Sequence, residues 1–477
     1  MNKSIKNSQI LPFYFIVIGL FVTIISSNMF SDGMFMDGLL YSAISKNLSQ
    51  GIGTFWNLHL SNTLFNSFHE HPPLAFGLQS IFYDIFGYSK IIDKLYSLVT
   101  FIIVGFIIIK IWKAIGKSVL CAWIPLLFWF SIPLVSWAIS NNILENTLSI
   151  FISLSVLFYF KSIKQNEKIY LFLCGLMLSL GFLTKGFVAF FPWTLPFIYW
   201  IVYKNVSFLK MIFNSFLIFI CTILPIIILM FISTEAKDSI INYLNIQVLE
   251  SLKNVETVTS RFFIINRLFF ELLPAILITL ILIFISWRKK NNIIKFDKNI
   301  KLTIVFLLLG LSGVIPIMIS LKQSGFYIIA TFPFFALAFS LLVLPFFEVY
   351  IEKINFNSIS FKCFKYASII VLIIGISLSI NSKNNIRKED DKLKELYLIM
   401  HKLPNNSTIN ICPPMYQDWA LHGYFIRYKN ISLDVNYNNR LEYFLIQNSC
   451  CSDTIVSNNY ILIDLPIKQY KLYQYKN

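Results

Sequence analysis

Charged residues are scarce in this 477-residue chain: Asp, Glu, Lys and Arg make up 13% of it, about half the roughly 25% of an ordinary soluble domain. Beside 56% hydrophobic and 17% aromatic residues, that deficit excludes a water-soluble globular fold. The sequence also lacks the P-loop and the Gly-rich dinucleotide motif that cradle a nucleotide. Its seven cysteines include no CxxC pair, so neither a zinc ribbon nor a disulfide framework follows. No repeat of solenoid type is present. Acidic residues are fewer than basic ones, 24 against 40, leaving a formal charge of +16. In a soluble protein such an excess would suggest nucleic acid. Here the lysines stand in short loops between apolar runs, where they report membrane topology.

What the sequence does contain is a series of apolar runs, each near the ~20 residues that a helix needs to cross a ~30 Å hydrocarbon core. They fall at 11–27, 74–88, 91–109, 118–138, 143–160, 168–184, 186–203, 208–232, 268–287, 302–320, 325–346 and 366–381. Continuous runs of this length exclude a lipid-facing β-barrel and specify a polytopic α-helical membrane protein. The first run is followed by no small-residue cleavage site and reads as a retained helix. Basic clusters lie at Lys110, Lys113 and Lys117; at Lys161, Lys164 and Lys168; at Lys204 and Lys210; at Arg288, Lys289 and Lys290; and at Lys353, Lys362 and Lys365. If 74–88 does not cross, every cluster shares the side of the N-terminus. The positive-inside rule therefore makes 74–88 an interfacial or re-entrant helix, leaves eleven crossings and puts the N-terminus in the cytoplasm. The outer face then carries a long first loop at 28–90, the turn 140–145, the segment 233–267 and everything from 383 onward. A transmembrane unit spans 1–382. The polar tail 383–477, with its short alternating runs, is expected to be a small soluble α/β domain outside the cytoplasm.

The polar residues worth singling out lie on that outer face. Asp37 opens a helical pattern in the first loop, where it can either cap free N–H groups or act as a base beside apolar surface. "FHEHPPL" places His69, Glu70 and His71 before a proline pair. A three-ligand metal site with these residues is the minor reading, because adjacent residues on one loop seldom converge on one ion. Lys185 in "GFLTKGF" and Lys322 in "SLKQSGFYIIATFP" sit at outer helix ends. They either snorkel to headgroups or, with Arg261 and Arg267, hold a phosphate. Asn142 and Glu145 in "SNNILENTLSIF" fit a capping box or an acidic cavity wall. In the tail, Cys412 has Cys450 and Cys451 as possible disulfide partners. His422 and Arg427 are expected on an exposed helix surface.

Taken in order, the first-loop acid, "HEHPPL", the acidic turn, "GFLTKG" and "LKQSGFYIIATFP" resemble membrane glycosyltransferases of the GT-C type over residues 10–345. The protein O-mannosyltransferase superfamily and the aminoarabinose transferase-like enzymes that modify lipid A are the families in question. The resemblance implies inverting transfer from a sugar carried on a polyprenyl phosphate to an acceptor hydroxyl on a glycan, lipid or protein. It places the chemistry at the outer face of the cytoplasmic membrane, with no nucleotide and no required metal. By the same resemblance Asp37 is the general base or acceptor-orienting acid, and Glu70, His71 and Glu145 line the pocket. Lys185, Lys322 and Tyr327 then hold the carrier phosphate. Three positions depart from the family pattern: Gly38 replaces a second acid, His71 a lysine, and Phe326 an arginine. A transporter or flippase for lipid-linked saccharide and an oligosaccharide ligase or polymerase are the rival classes. Transporters gather polar groups near the bilayer midplane, whereas here they gather in outer loops. Neither sugar, acceptor nor oligomeric state is legible in the sequence.

Overall fold

The computed structural model describes residues 9–249, 256–288, 299–436, 438–448 and 459–476. Lys289 and Lys290 of one expected basic cluster, and Cys450 and Cys451, lie outside them. Among the described residues, eight helical stretches are long and apolar enough to cross a membrane, or nine if one bent pair counts as a span. This is a multi-span membrane protein.

The chain enters through α1 (Leu11–Met29), which packs along the late helix α15 (Ile359–Asn381). Gly19 allows that approach, since a Cβ there would lie 2.8 Å from the Leu372 backbone nitrogen. Next come α2 (Met36–Ser49) and α3 (Leu74–Phe86). At 13 residues α3 is about 20 Å long, too short for the hydrocarbon core. It packs against α2, as expected of a helix that does not cross. The helix α4 (Ile92–Ala114) then spans.

The run 118–138, expected to be one crossing, is a broken helix, bent by 85° between α5 (Trp123–Phe130) and α6 (Pro133–Ile139). The cause is local. Pro133 occupies the first position of α6, and Ile132 before it is extended at φ −82°, ψ 117°, as a residue preceding proline prefers.

The helices α7 (Leu144–Ser162) and α8 (Glu167–Lys185) form an antiparallel pair. After Lys185 the chain reverses at Gly186, whose φ of +74° suits glycine. The following 3₁₀ stretch Gly186–Thr194 runs back along α8 into α9 (Leu195–Tyr203). A Cβ on Gly181 would come within 2.9 Å of the Ala189 Cβ, which requires the two limbs to lie side by side. The helices α10 (Phe208–Ile232), α11 (Thr234–Tyr243), α12 (Phe263–Arg288), α13 (Ile300–Val314) and α14 (Phe332–Lys353) follow. The apolar 18-residue stretch of the segment Gly325–Lys353, which ends in α14, is 83% buried, whereas that of α10 is 17% buried. The former is thus the central helix and the latter faces lipid.

Beyond α15, the tail forms a five-stranded sheet with α16 (Asp390–Lys402) and α17 (Trp419–Lys429). The strands are β1 (Thr408–Ile411), β2 (Ser432–Asp434), β3 (Tyr443–Gln447), β4 (Tyr460–Ile463) and β5 (Tyr470–Tyr475), in order β2-β1-β3-β5-β4. The strand β1 runs parallel to β2 and β3, and β5 antiparallel to β3 and β4. Its core is not self-contained, for Met34 and Leu39 of the first loop are buried within it. Cys412 is disulfide-bonded.

The expected exposure of His422 and Arg427 is wrong. Both are buried, because α17 docks on α2 rather than facing solvent, with Gly423 against Leu39.

Candidate functional site

Most of the candidate residues meet where α2, α3, α7, α8 and the turn before α14 come together. Asp37 lies in the first turn of α2, after the extended residue Phe35. That start is held by Asn141, whose Oδ1 accepts from the Phe35 N–H at 2.7 Å. The carbonyl of Asn141 rests on Gly38, where a Cβ would stand 1.9 Å away. Gly38, the departure from the family pattern, is therefore a packing requirement. The N-cap position itself is Phe35, whose side chain makes no capping bond, and Asp37 follows it in the first turn. Burial raises its carboxyl pKa, opposed by Lys185, reinforced by Glu145 and opposed again by Lys322 and Lys388; the balance sits at about 6. A base with that value titrates near neutrality.

Glu145 and Lys185 form a buried ion pair between the first turn of α7 and the last of α8. The second carboxylate oxygen, Glu145 Oε2, is buried without a partner. Of the two readings of this helix start, the capping box is not formed. Ile143 occupies the N-cap without a side-chain bond. Asn142 turns left-handed at φ 46° and donates from Nδ2 to Gln79 Oε1 at 3.3 Å. The Lys185 ammonium also lies 5.3 Å from the Phe326 ring centre and 5.1 Å from that of Tyr327, within cation–π range. Phe326 packs on Phe35 and Trp137 at 5.5 and 5.9 Å, forming an aromatic wall.

From the α3 side, His71 Nε2 is hydrogen-bonded to the Tyr41 hydroxyl at 3.0 Å. Burial pushes its pKa well below the usual value, and Lys185 and Lys322 push the same way, so His71 is neutral. Burial raises the Glu70 carboxyl, Lys322 lowers it and Asp37 raises it. Asp37 and Glu70 thus share the field of Lys322. Lys322 itself donates to Gln247 Oε1 at 2.9 Å.

The two arginines are less central. Arg267 pairs with Glu271 at 2.7 Å, and its stem packs by Gly325. Arg261 is exposed, and its backbone carbonyl accepts from Gln323 Nε2 at 3.0 Å. As for metal at His69, Glu70 and His71, no group of three His, Cys, Asp or Glu among the described residues is arranged to hold an ion. His59, upstream in the same loop, has its Nδ1 bonded to the Asn66 carbonyl at 3.0 Å.

Sequence reasoning missed Lys388, which reaches back from the tail to lie 5.4 Å from the Phe35 ring centre and to act on Asp37. It also missed Arg427. The Nε of Arg427 donates to Asp93 Oδ2 at 2.7 Å, and the same oxygen accepts from Ser42 of α2 at 2.9 Å. Asp32 lies 3.5 Å from Arg427 and accepts from Tyr397 and Tyr428. Burial opposes ionisation of Asp32, but Arg427 and the two hydroxyls hold its pKa down at about 2. One clue was legible, namely Arg427 directly after the apolar pair Phe425 and Ile426.

The model for the dolichyl-phosphate-mannose-protein mannosyltransferase family matches residues 70–231, about a third of the chain. No curated protein matches the sequence. Among solved structures, ArnT from Cupriavidus metallidurans bound to undecaprenyl phosphate superposes with a TM-score of 0.64 at 13% identity, covering 96% of this chain and 97% of that one. The chain has the GT-C fold. The apo form of the same ArnT gives 0.62 at 12% identity, covering 96% of each chain. The apo oligosaccharyltransferase of Archaeoglobus fulgidus gives 0.52 at 12% identity, covering 90% of this chain and 65% of that one. In this GT-C chain the family match takes in Glu70, His71, Glu145 and Lys185, while Asp37 and Lys322 lie outside it.

Proposed function

We propose that the protein is an integral membrane glycosyltransferase that moves a sugar from a polyprenyl-phosphate carrier to an acceptor hydroxyl, with inversion at the anomeric carbon. The observation that carries this reading is the Asp37 carboxylate. It lies in the first turn of α2 beside the buried Glu145–Lys185 pair, its pKa is raised to about 6, and it stands in the field of Lys185 and Lys322. The acceptor hydroxyl gives its proton to Asp37 as its oxygen bonds to the anomeric carbon. The bond from that carbon to the phosphate oxygen breaks, and polyprenyl phosphate leaves with the electron pair. Lys185, Lys322 and Tyr327 stabilise the charge that develops on it. Arg261 and Arg267 lie nearer the rim and meet the carrier as it arrives. Glu70 and His71 form the wall opposite the cations, with His71 oriented by Tyr41. Glu145 fixes the Lys185 ammonium. The reaction calls for no metal.

Orientation follows from charge. The site end of α7 is Glu145 and that of α8 is Lys185, while Lys161 and Lys168 lie at their opposite ends. Counting the bent pair, α7, and the two limbs that meet at Gly186 as separate crossings gives eleven, with residues 1–382 as the transmembrane unit and 383–477 as an outer domain. By the positive-inside rule the N-terminus is cytoplasmic and the site faces outward from the cytoplasmic membrane. The Cys412 disulfide fits an oxidising compartment. The partners are then membrane lipid, the lipid-linked sugar and a glycan, lipid or protein acceptor. The experiment is mass spectrometry of surface glycolipids and glycoproteins from cells with and without the chain. A sugar-sized mass lost with the chain and restored by it supports the reading, and unchanged profiles count against it.

A further inference from the structure

Away from Asp37, three cavities run end to end along the seam between the first outer loop and the tail domain. The central one, of about 480 Å³, is lined by Lys46, Gln50, Tyr88, Lys90, Asn405 and Lys429 among others. It shares Gln50, Asn406 and Asn430 with a cavity of about 560 Å³ that also takes in His59, Asn62 and Ser432. On its other side it shares Ser89 and Lys90 with a third cavity of about 400 Å³. The seam is therefore a groove rather than a pit. It is separate from the reaction centre. Lys46 stands nine residues along α2 from Asp37, roughly 14 Å of rise and two and a half turns, hence on the opposite face of the helix.

Three features of the walls point to one ligand chemistry. First, amides dominate: Gln50, Asn62, Asn405, Asn406 and Asn430 line the groove. The side chains of Gln50 and Asn405 make no hydrogen bond with any described residue, which leaves donors and acceptors for hydroxyl groups. Second, Tyr88 at the rim is 52% exposed and sits on Tyr83 at 6.1 Å with near-parallel rings, presenting a flat amphipathic face. Third, the charge is one-sided. No carboxylate lines the central cavity or the 560 Å³ one. Lys46 and Lys429 spend their ammonium groups on backbone carbonyls, those of Arg427 and Leu403, at 2.7 and 2.9 Å. The third cavity does hold a carboxylate, Asp32, but it already serves Arg427 and Lys90, and Asp93 nearby also serves Arg427. Burial and the Arg427 charge bring the Lys46 pKa down to about 8, the mark of a cation short of counter-charge.

We propose that this groove is a binding site for an acidic saccharide, an extended sugar chain bearing carboxylate or phosphate groups. Its hydroxyls meet the amides, one ring lies on Tyr88, and an anionic group sits between Lys46 and Lys429. The inference does not require the transferase reading. It is a statement about binding at a place remote from Asp37.

The test is saturation-transfer NMR on the full chain in detergent, with three probes: a hyaluronan tetrasaccharide, a neutral chitin tetrasaccharide of the same length, and inorganic phosphate as competitor. Transfer to the acidic tetrasaccharide is expected, with the neutral one about tenfold weaker. The exposed-residue variants Tyr88→Ala and Asn405→Ala, and Lys429→Gln, should each lose about tenfold in affinity while thermal unfolding stays unchanged. Equal binding of the neutral sugar overturns the acidic part. Displacement by phosphate with no effect of Tyr88→Ala or Asn405→Ala overturns the saccharide part. Absence of transfer to either sugar overturns both. An intact acidic-sugar signal in all three variants places binding elsewhere and also overturns the proposal.

Discussion

The carbonyl oxygen of Asn141 occupies the space where a side chain on Gly38 would begin: a Cβ would lie 1.9 Å from it. The contact locks the start of α2, and hence Asp37, to the turn before α7. Gly38→Ala must therefore push the two apart. Overpacking of this kind costs about 1–3 kcal/mol, and the thermal midpoint of the purified protein should fall. Gly38→Asp should fall further, because the family's second acid has no room here.

The Asp37 carboxyl has its pKa raised to about 6, so a reaction that uses it as base should gain rate as pH rises through about 6. Lys185 lowers that value, and replacing Lys185 by Met should move the acid limb of the pH–rate profile upward. Glu145 raises it, so Glu145→Gln should move the limb downward. A limb near pH 4 in the unsubstituted protein would show that Asp37 is not the group observed.

Stability should respond to the same carboxyl in the opposite sense. A group whose folded pKa exceeds its unfolded value of 3.8 costs stability as pH rises from that value through about 6, where the folded state must release a proton it prefers to keep. Asp37→Asn should then unfold at higher temperature than the unsubstituted protein at pH 7, with the difference closing below pH 4. Thermal scans at both pH values check this.

Breaking the buried Glu145–Lys185 pair from one side leaves an uncompensated charge and should cost about 3–5 kcal/mol. Lys185→Met should lose most of that, and the double variant Lys185→Met with Glu145→Leu should recover part of it. Chemical unfolding of the two variants and the unsubstituted protein measures the difference.

Arg427 ties α17 to α4 through Asp93, whose carboxylate also holds Ser42 of α2. Arg427→Ala should loosen the tail domain from α2, raising proteolytic cleavage around residues 383–389. It should also lower turnover more than substrate affinity, because Asp37 moves with α2. Lys at 427 keeps the charge but cannot serve Asp93 and Tyr428 together, so rescue should be partial.

The long apolar runs were legible because span length is imposed by the bilayer. The reading of 74–88 as a helix that does not cross rested on where the lysines fall, and α3, at 13 residues, is short for a span. Asp37, Glu70, Glu145, Lys185 and Lys322 could be singled out because a polar residue beside apolar sequence needs a reason to be there. What could not be read were contacts across hundreds of residues. Arg427 meets Asp93, and Lys388 comes to Phe35, only because the tail folds back on the first loop. The 85° bend at Ile132 was carried by Pro133, yet hydropathy alone joins the two halves. Arg261 and Arg267 were grouped with the lysines by charge, whereas Glu271 already claims Arg267.

The central claim is tested most directly by transfer from a radiolabelled polyprenyl-phosphate sugar to endogenous acceptors in membranes carrying the protein or its Asp37→Asn variant at equal levels. The account predicts a fall in initial rate of order 10²-fold or more, with the carrier lipid still bound. Full transfer by Asp37→Asn would contradict it.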